Sequence, residues 1–355
     1  MALALNGRFL DQPLTGVQRF AHGITGALDA MAAAGRIPPP RLLRPAGGAP
    51  APYAHLREAA FGPFAGQAWE QLTLPGQVGR DVLLSLGNTA PLRLGARQAV
   101  VIHDAGVFDT PESYGWRFRA WYRTMQHGLA RAGARIITVS AFSRGRIAAA
   151  LGVPEARIGV IPEGHEQVFA TPAEPEILAR NGLRPGGYAL VVGTGAAHKN
   201  LGALGAAAAL LQARGLTLAI AGAADPAVFR TAGGATGRPL GRVSDGALRA
   251  LYENALCLIF PSRYEGFGLP PLEAMACGCP VVAAAAASLP EVCGDAALWF
   301  APEDTASLTA ALARLLDENH LRGELSARGR ERAALFTWPR AAEALLALLP
   351  QGERA

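Results

Sequence analysis

Short apolar runs alternate along this chain with longer stretches in which apolar positions return at helical spacing. In the first half Val82 to Leu86, Ala99 to His103, Arg135 to Ser140 and Ile158 to Ile161 read as short buried strands, separated by helical stretches such as Arg117 to Ala132 and Ser143 to Leu151. The second half repeats the rhythm. Ala189 to Gly193, Leu216 to Ala221, Cys257 to Phe260, Val281 to Ala283 and Ala297 to Phe300 read as strands, with helices near 201–213, 245–254, 271–277 and 305–317. Such alternation predicts an α/β protein built on parallel, doubly wound sheets. A chain of 355 residues holds two domains, each with its own core. The polar, proline-bearing stretch from Glu163 to Pro185 is the expected boundary, giving domains of about 1–170 and 171–340, with 341–355 expected as a helix returning toward the first. Arg36 to Pro52, rich in proline and glycine, is expected to form a mobile loop.

One helical stretch carries two patterns. Phe118, Tyr122, Met125 and Leu129 recur at the spacing by which a helix packs on a sheet. Trp116 and Trp121 are interleaved with Arg117, Arg119 and Arg123, a mixture suited to a membrane interface on the opposite face.

Composition narrows the class. Half of the residues are hydrophobic and 17% charged, yet no uninterrupted apolar run of about 18 residues occurs, so no transmembrane helix is expected. The N-terminal apolar run is too short for a signal peptide, and the expected location is cytoplasmic. Cys257, Cys277, Cys279 and Cys293 lie on or beside apolar segments without the second pair of a zinc site, and read as small reduced core residues. The net charge of +5 is concentrated in the first half, too diffusely for nucleic acid and without a recognition-module signature. It suits anionic lipid headgroups or a diphosphate-linked acceptor.

The most informative segment is Phe260 to Pro280, where a buried strand passes through a glycine-rich turn into a helix that opens with Pro270 and Pro271. Gly266 and Gly268 permit positive φ and close backbone approach, and the free N–H groups of such a turn face a phosphate. Glu265 sits on the turn and Glu273 about one turn into the helix, so the pair can touch two ends of one extended ligand. A second signal is independent. Among 33 basic side chains only one is lysine, Lys199, just after an expected strand and the glycine turn at Gly193–Thr194–Gly195. A chain that otherwise uses arginine and keeps lysine here needs a compact ammonium, at a place where parallel sheets bind phosphates.

The string Glu265-x7-Glu273 within Glu-Gly-Phe-Gly-Leu-Pro, followed by Cys-Gly-Cys-Pro-Val-Val and Ser288-Leu-Pro-Glu-Val, resembles the donor motif of retaining glycosyltransferases of family 4. Asn6-Gly-Arg-Phe-Leu with Thr15-Gly-Val-Gln-Arg-Phe, Trp69-Glu-Gln, Asn88-Thr-Ala-Pro, Ile102-His-Asp, Val139-Ser-Ala-Phe-Ser-Arg and Gly241-Arg-Val-Ser-Asp extend the resemblance over nearly the whole chain. It implies the GT-B fold, two Rossmann-like domains facing a cleft, the first for the acceptor and the second for a nucleotide sugar. By that resemblance Glu265 lies at the transferred sugar and Glu273 at the ribose hydroxyls, with Gly266, Phe267, Gly268 and Leu269 offering amides between them. Thr194, His198 and Lys199 occupy the diphosphate turn, and Arg242 and Val243 lie where backbone meets the base. His103 matches a histidine that reaches a donor-sugar hydroxyl, although a lone histidine closing a strand also reads as structural. Gly16 matches a turn that brings amides to the sugar or diphosphate, with a core-turn glycine the equal alternative. In the turn of Ser140, Ser143 and Arg144 the serines are accounted for by helix capping, with Arg144 a candidate acceptor or phosphate contact.

Two departures stand out. His198 replaces an arginine, leaving a titratable group beside the one fixed cation. Pro162-Glu163-Gly164-His165-Glu166 stands where many relatives have Pro-Asn-Gly-Val-Asp, and its role is open between ligand contact and linker cap. The expectation is a retaining hexosyltransferase that uses a GDP- or UDP-hexose and a glycan or lipid-linked acceptor, with peripheral contact to an anionic membrane and no nucleic acid. No cofactor is expected and no metal, since the chain has no Asp-x-Asp pair. A pyridoxal-phosphate phosphorylase using Lys199 as Schiff base and a silent nucleotide-sugar binding subunit are the alternatives.

Overall fold

The computed structural model describes residues 2–222 and 237–350. The chain divides into two compact units, one formed by the chain up to Gly164 together with the segment from Trp338 onward, the other by His165–Thr337. The division falls inside the Glu163 to Pro185 stretch, earlier than residue 170, and the return to the first unit begins at Trp338 rather than 341. Residues 351–355 of the expected terminal helix lie outside the described residues; the helix itself is Trp338–Leu348.

The first unit carries a seven-stranded sheet of β1 (Leu3–Asn6), β2 (Arg41–Pro45), β3 (Arg57–Phe61), β4 (Val82–Ser85), β5 (Gln98–Val101), β6 (Arg135–Thr138) and β7 (Ile158–Val160), in the order β3-β2-β1-β4-β5-β6-β7. The second carries β8 (Tyr188–Val192), β9 (Thr217–Ala221), β10 (Arg238–Gly241), β11 (Cys257–Phe260), β12 (Val281–Ala284) and β13 (Ala297–Phe300), in the order β10-β9-β8-β11-β12-β13. Every pairing is parallel. Helices cover both faces of such sheets, which is why β4, β5, β11 and β12 are buried at every position. In each sheet the order reverses once, between β1 and β4 and between β8 and β11. The crevice outside the carboxyl ends of two such strands is where open α/β sheets receive ligands.

Two expectations are corrected. Within Arg36 to Pro52, Arg41–Pro45 is strand β2, with Leu42 and Leu43 wholly buried and Arg44 paired to Glu58 of β3. The prolines and glycines that suggest a loop flank this strand or, as Pro45, close it, and none interrupts its interior. Gly16 opens a helix, Gly16–Ala33, whose Phe20, Ile24 and Leu28 are fully buried. The absence of a side chain at Gly23 lets Trp338 pack there, since a Cβ would lie 2.3 Å from the indole. Finally, only half of the stripe on the helix Trp116–Arg131 enters the core. Met125 and Leu129 are buried, whereas Phe118 is 44% exposed and stacks between Tyr114 and Tyr122. A 16-residue helix runs about 24 Å while the four residues of β5 reach about 13 Å, so one end of the helix overhangs the sheet.

Candidate active site

In the second unit the switch between β8 and β11 brings together the side chains that the sequence singles out. β8 leads into the turn that carries Thr194 and ends in the short 3-10 segment Ala197–Lys199. β11 leads through Ser262 and Arg263 to Glu265. Lys199 Nζ donates to Glu265 Oε1 at 2.6 Å, across 66 residues of sequence, and sits 5.6 Å from the centre of the Phe260 ring. The two loops are joined a second time by Arg263 N–H donating to the His198 carbonyl at 2.8 Å. Both members of the pair are partly accessible, 18% for Lys199 and 13% for Glu265, so an entering anion can compete for the ammonium.

The Glu265 loop is held from below. Ser288 Oγ, fully buried, lies 3.0 Å from the Glu265 carbonyl and 2.7 Å from that of Phe267. Phe267 turns its ring inward against Phe336, which leaves its backbone rather than its side chain for a ligand. Of the two motif glycines only Gly268 adopts positive φ, 110°, and a Cβ there would meet Leu289 at 2.7 Å. Gly266 has no such conformation, which corrects the expectation for it. Gly268 caps the helix Leu269–Ala276, with the prolines in its first turn where missing N–H groups cost nothing.

Glu273 lies on this helix and is 4% exposed. Gln167 Nε2 donates to its Oε1 at 2.7 Å and the Tyr252 hydroxyl to its Oε2 at 3.3 Å. Burial, and then the neighbouring Glu273 charge, push the Tyr252 phenol well above its ordinary range, so it stays a donor. Sequence reasoning missed both partners. Gln167 lies in the Pro162–Glu166 neighbourhood, whose departure from relatives was the available signal.

The other expected positions are distributed as follows. Thr194 is exposed and His198 partly so; Arg242 and Val243 follow β10, with Arg242 exposed. In the first unit, Gly16 has open space around the place of a Cβ. His103 is 5% exposed; its Nε2 lies 3.0 Å from the Leu86 carbonyl, which can only accept, so Nε2 carries the proton. Its Nδ1 lies 3.6 Å from Glu163 Oε1, and the Phe20 ring meets its face edge-on. Glu163 therefore finds its partner on the histidine, and His165 Nδ1 meets the Phe336 carbonyl at 2.8 Å. Ser140 caps the helix Ala141–Leu151 through Ser143 N–H, and Arg144 pairs with Glu155. All four cysteines are free; burial pushes Cys257, Cys277 and Cys293 up to about 12.

Comparison with known proteins gives the family and the fold. Residues 175–332 match the family described as glycosyl transferases group 1, and the chain belongs to that family. It is 34% identical over 256 residues to the O-antigen chain mannosyltransferase B of Escherichia coli, covering 68% of this chain and 67% of that one. A second relative, the MMP alpha-(1->4)-mannosyltransferase of Mycolicibacterium hassiacum, is 33% identical over 63% of this chain and 56% of its own length. The fold is that of WaaG, a glycosyltransferase involved in lipopolysaccharide biosynthesis, at TM-score 0.69 and 16% identity over 99% of this chain and all of that one. Sucrose-phosphate synthase of Thermosynechococcus elongatus matches at TM-score 0.70 and 22% identity, over 98% of each chain. The chain is thus a glycosyltransferase with the two Rossmann-like domains of the GT-B fold.

Proposed function

We propose that this chain is a retaining hexosyltransferase that moves mannose or glucose from a GDP- or UDP-sugar to a hydroxyl of a lipid-linked oligosaccharide or polysaccharide. The meeting of Lys199 and Glu265 at the β8–β11 switch, with Glu273 on the helix that follows, carries the reading. The named activities of the mannosyltransferase relatives favour mannose.

In this reading Lys199 leaves Glu265 for the donor diphosphate, and Glu265 turns to the sugar hydroxyls. The acceptor oxygen bonds to the anomeric carbon on the face from which the nucleotide departs, the anomeric carbon–phosphate oxygen bond breaks, and the acceptor proton passes to a phosphate oxygen. Charge that develops on the leaving diphosphate is stabilised by the fixed ammonium and the amides at the start of Leu269–Ala276. This arrangement supplies the cation that a bound metal supplies elsewhere. Within the first unit His103 is the candidate for the reaction, its Nε2 committed to the Leu86 carbonyl and its Nδ1 3.6 Å from Glu163 Oε1.

The enzyme acts at the cytoplasmic side of a membrane. No helix among the described residues is long and apolar enough to cross one. Trp116, 71% exposed, and Trp121, 41% exposed, stand among arginines on Trp116–Arg131 and suit peripheral contact with anionic lipid.

Turnover with GDP-mannose, UDP-glucose and related donors, with the product anomer read by NMR, tests the assignment. An α-sugar donor giving an α-linked product is expected, with at least half the rate retained in saturating chelator. An inverted product, or activity abolished by chelator and restored by magnesium or manganese, overturns the corresponding part.

A further inference from the structure

The loop that leaves β4 is fixed almost residue by residue by side chains from distant parts of the chain. Arg8 Nη2 donates to Thr89 Oγ1 at 2.7 Å, Gln71 Nε2 to the Ala90 carbonyl at 3.0 Å, and Nε2 of the fully buried Gln98 to the Pro91 carbonyl at 2.7 Å. Leu92 N–H returns to Gln71 Oε1 at 3.1 Å. At the head of this loop Asn88 stands at φ 66°, in the left-handed region, one of three non-glycine residues there among those described. Asparagine tolerates that region better than most residues, but it still costs energy, and such backbone persists where its surroundings over-determine it. The tethers on Thr89, Ala90, Pro91 and Leu92 do so.

The turn at Asn88 converges on one residue. Asn88 N–H donates to the Val101 carbonyl at 3.0 Å, which carries the pairing of β4 with β5 past the end of β4. Its Oδ1 then accepts from the His103 N–H at 2.8 Å, and the Leu86 carbonyl, two residues earlier, accepts from His103 Nε2 at 3.0 Å. Main chain and ring of His103 are thus gripped by one three-residue segment. Thr138 Oγ1 donates to the His103 carbonyl at 3.4 Å, and the Phe20 edge meets the ring face at 4.7 Å, with Trp338 5.8 Å beyond it. With the proton on Nε2, the neutral ring keeps its lone pair on Nδ1.

We infer that Asn88 is a positioning residue for His103: its left-handed turn brings an oxygen to the His103 main chain and the Leu86 carbonyl to the ring, fixing the imidazole with Nε2 protonated and Nδ1 the nitrogen that serves a substrate hydroxyl. The inference rests on the part given to His103 in the proposed reaction and adds the residue that sets its tautomer. Asn88 acts through His103 and needs no contact of its own with substrate.

The test uses NMR of the full chain with isotope-labelled histidine ring nitrogens, the His103 resonances being identified by their loss in His103→Gln, and steady-state kinetics on GDP-mannose and UDP-glucose. The wild type is expected to show a single Nε2–H tautomer. Asn88→Gly keeps the left-handed backbone without strain and removes the acceptor. Its His103 resonances are expected to spread between tautomers, with kcat down about tenfold and KM within about threefold of the wild type. Asn88→Asp keeps an oxygen at the same reach and is expected to hold the tautomer and at least about a third of the rate. Loss of folded protein alone would lower the rate and leave the surviving tautomer as in the wild type. In Asn88→Gly, an unshifted tautomer overturns the inference whatever the rate, and so does an unchanged kcat; an Asn88→Asp variant as impaired as Asn88→Gly overturns it too. His103→Gln turning over at the wild-type rate overturns the part given to His103 instead. The resonances are read without any donor, so a failure of the donor reading leaves this arm standing. Should Asn88→Gly not fold, Asn88→Ser, whose oxygen reaches one bond less far, is read against the same outcomes.

Discussion

The two sheets each reverse their strand order once, and at each reversal a basic side chain meets a glutamate, with opposite outcomes. Beyond β1 and β4, Arg8 Nε donates to Glu70 Oε2 at 2.9 Å, and Arg8 Nη2 to Thr89 Oγ1 at 2.7 Å. Asn6 Nδ2 adds 2.8 Å to the same Glu70 oxygen and 3.1 Å to Ser85 Oγ. Glu70 is fully buried within a widened π-type turn, Trp69–Thr73. Beyond β8 and β11, Lys199 and Glu265 share one contact and remain partly open. Guanidinium suits the first place because its fixed fork reaches several acceptors at once, and ammonium the second because it can let go and turn. A saturated buried network is scaffold, whereas an ion pair with unused valence is a site waiting for a third charge.

The largest effect that would break this contrast is on stability. Glu70→Ala strands the Arg8 charge in the interior and should cost about 3 to 5 kcal/mol in urea unfolding, while Lys199→Ala should cost about 1 kcal/mol or less. Comparable losses from the two variants would mean that the pairs do not differ in kind. Kinetics should show the reverse ranking. Lys199→Arg keeps the charge and the fold but is expected to lower kcat about tenfold or more, because a planar fork cannot follow the diphosphate as a compact ammonium does. Steady-state rates against melting temperature place that variant on one side or the other.

Two smaller effects sharpen the picture around the second switch. Gly268→Ala forces a side chain into positive φ and against Leu289, and should cost about 1 to 3 kcal/mol by thermal unfolding while weakening nucleotide binding. The smallest concerns the thiols behind the site. With pKa values raised from the usual 9 to about 12 by burial, native Cys257 and Cys293 should resist alkylation at pH 8, and Cys277, the least buried, should react first. Because these values are raised in the folded state, their stabilising share is complete below pH 9 and is lost as pH climbs toward 12. Rapid labelling of Cys257 in the native state at pH 8 would contradict the burial.

Much of the second unit was legible from residues alone, because its strands are short continuous apolar runs and its site is contiguous in sequence. Glu265, Gly268 and Glu273 fall within one turn and the start of one helix. What remained hidden depends on contacts across long separations. Gln167 and Glu273 are 106 residues apart, and nothing local marks an amide as the partner of a buried carboxylate. Composition hides strand β2 because it ignores position: the prolines and glycines precede Arg41, follow the strand, or, as Pro45, close it. The stripe on Trp116–Arg131 was read correctly in period and wrongly in extent. Spacing tells which side of a helix is apolar but not where the sheet beneath it ends.

The return of the chain to its first unit sets an order of events during synthesis. The helix Trp338–Leu348 seats its indole on Gly23 and beside Phe20, with ring centres 5.8 Å apart, so a surface made before the second unit is translated is closed by residues translated after it. Until the whole of the intervening unit has been translated, the groove along Gly16–Ala33 stands open to water and to other nascent chains. A premature stop that spares every residue of the candidate nucleotide site would still leave the first unit without the helix that covers Gly23.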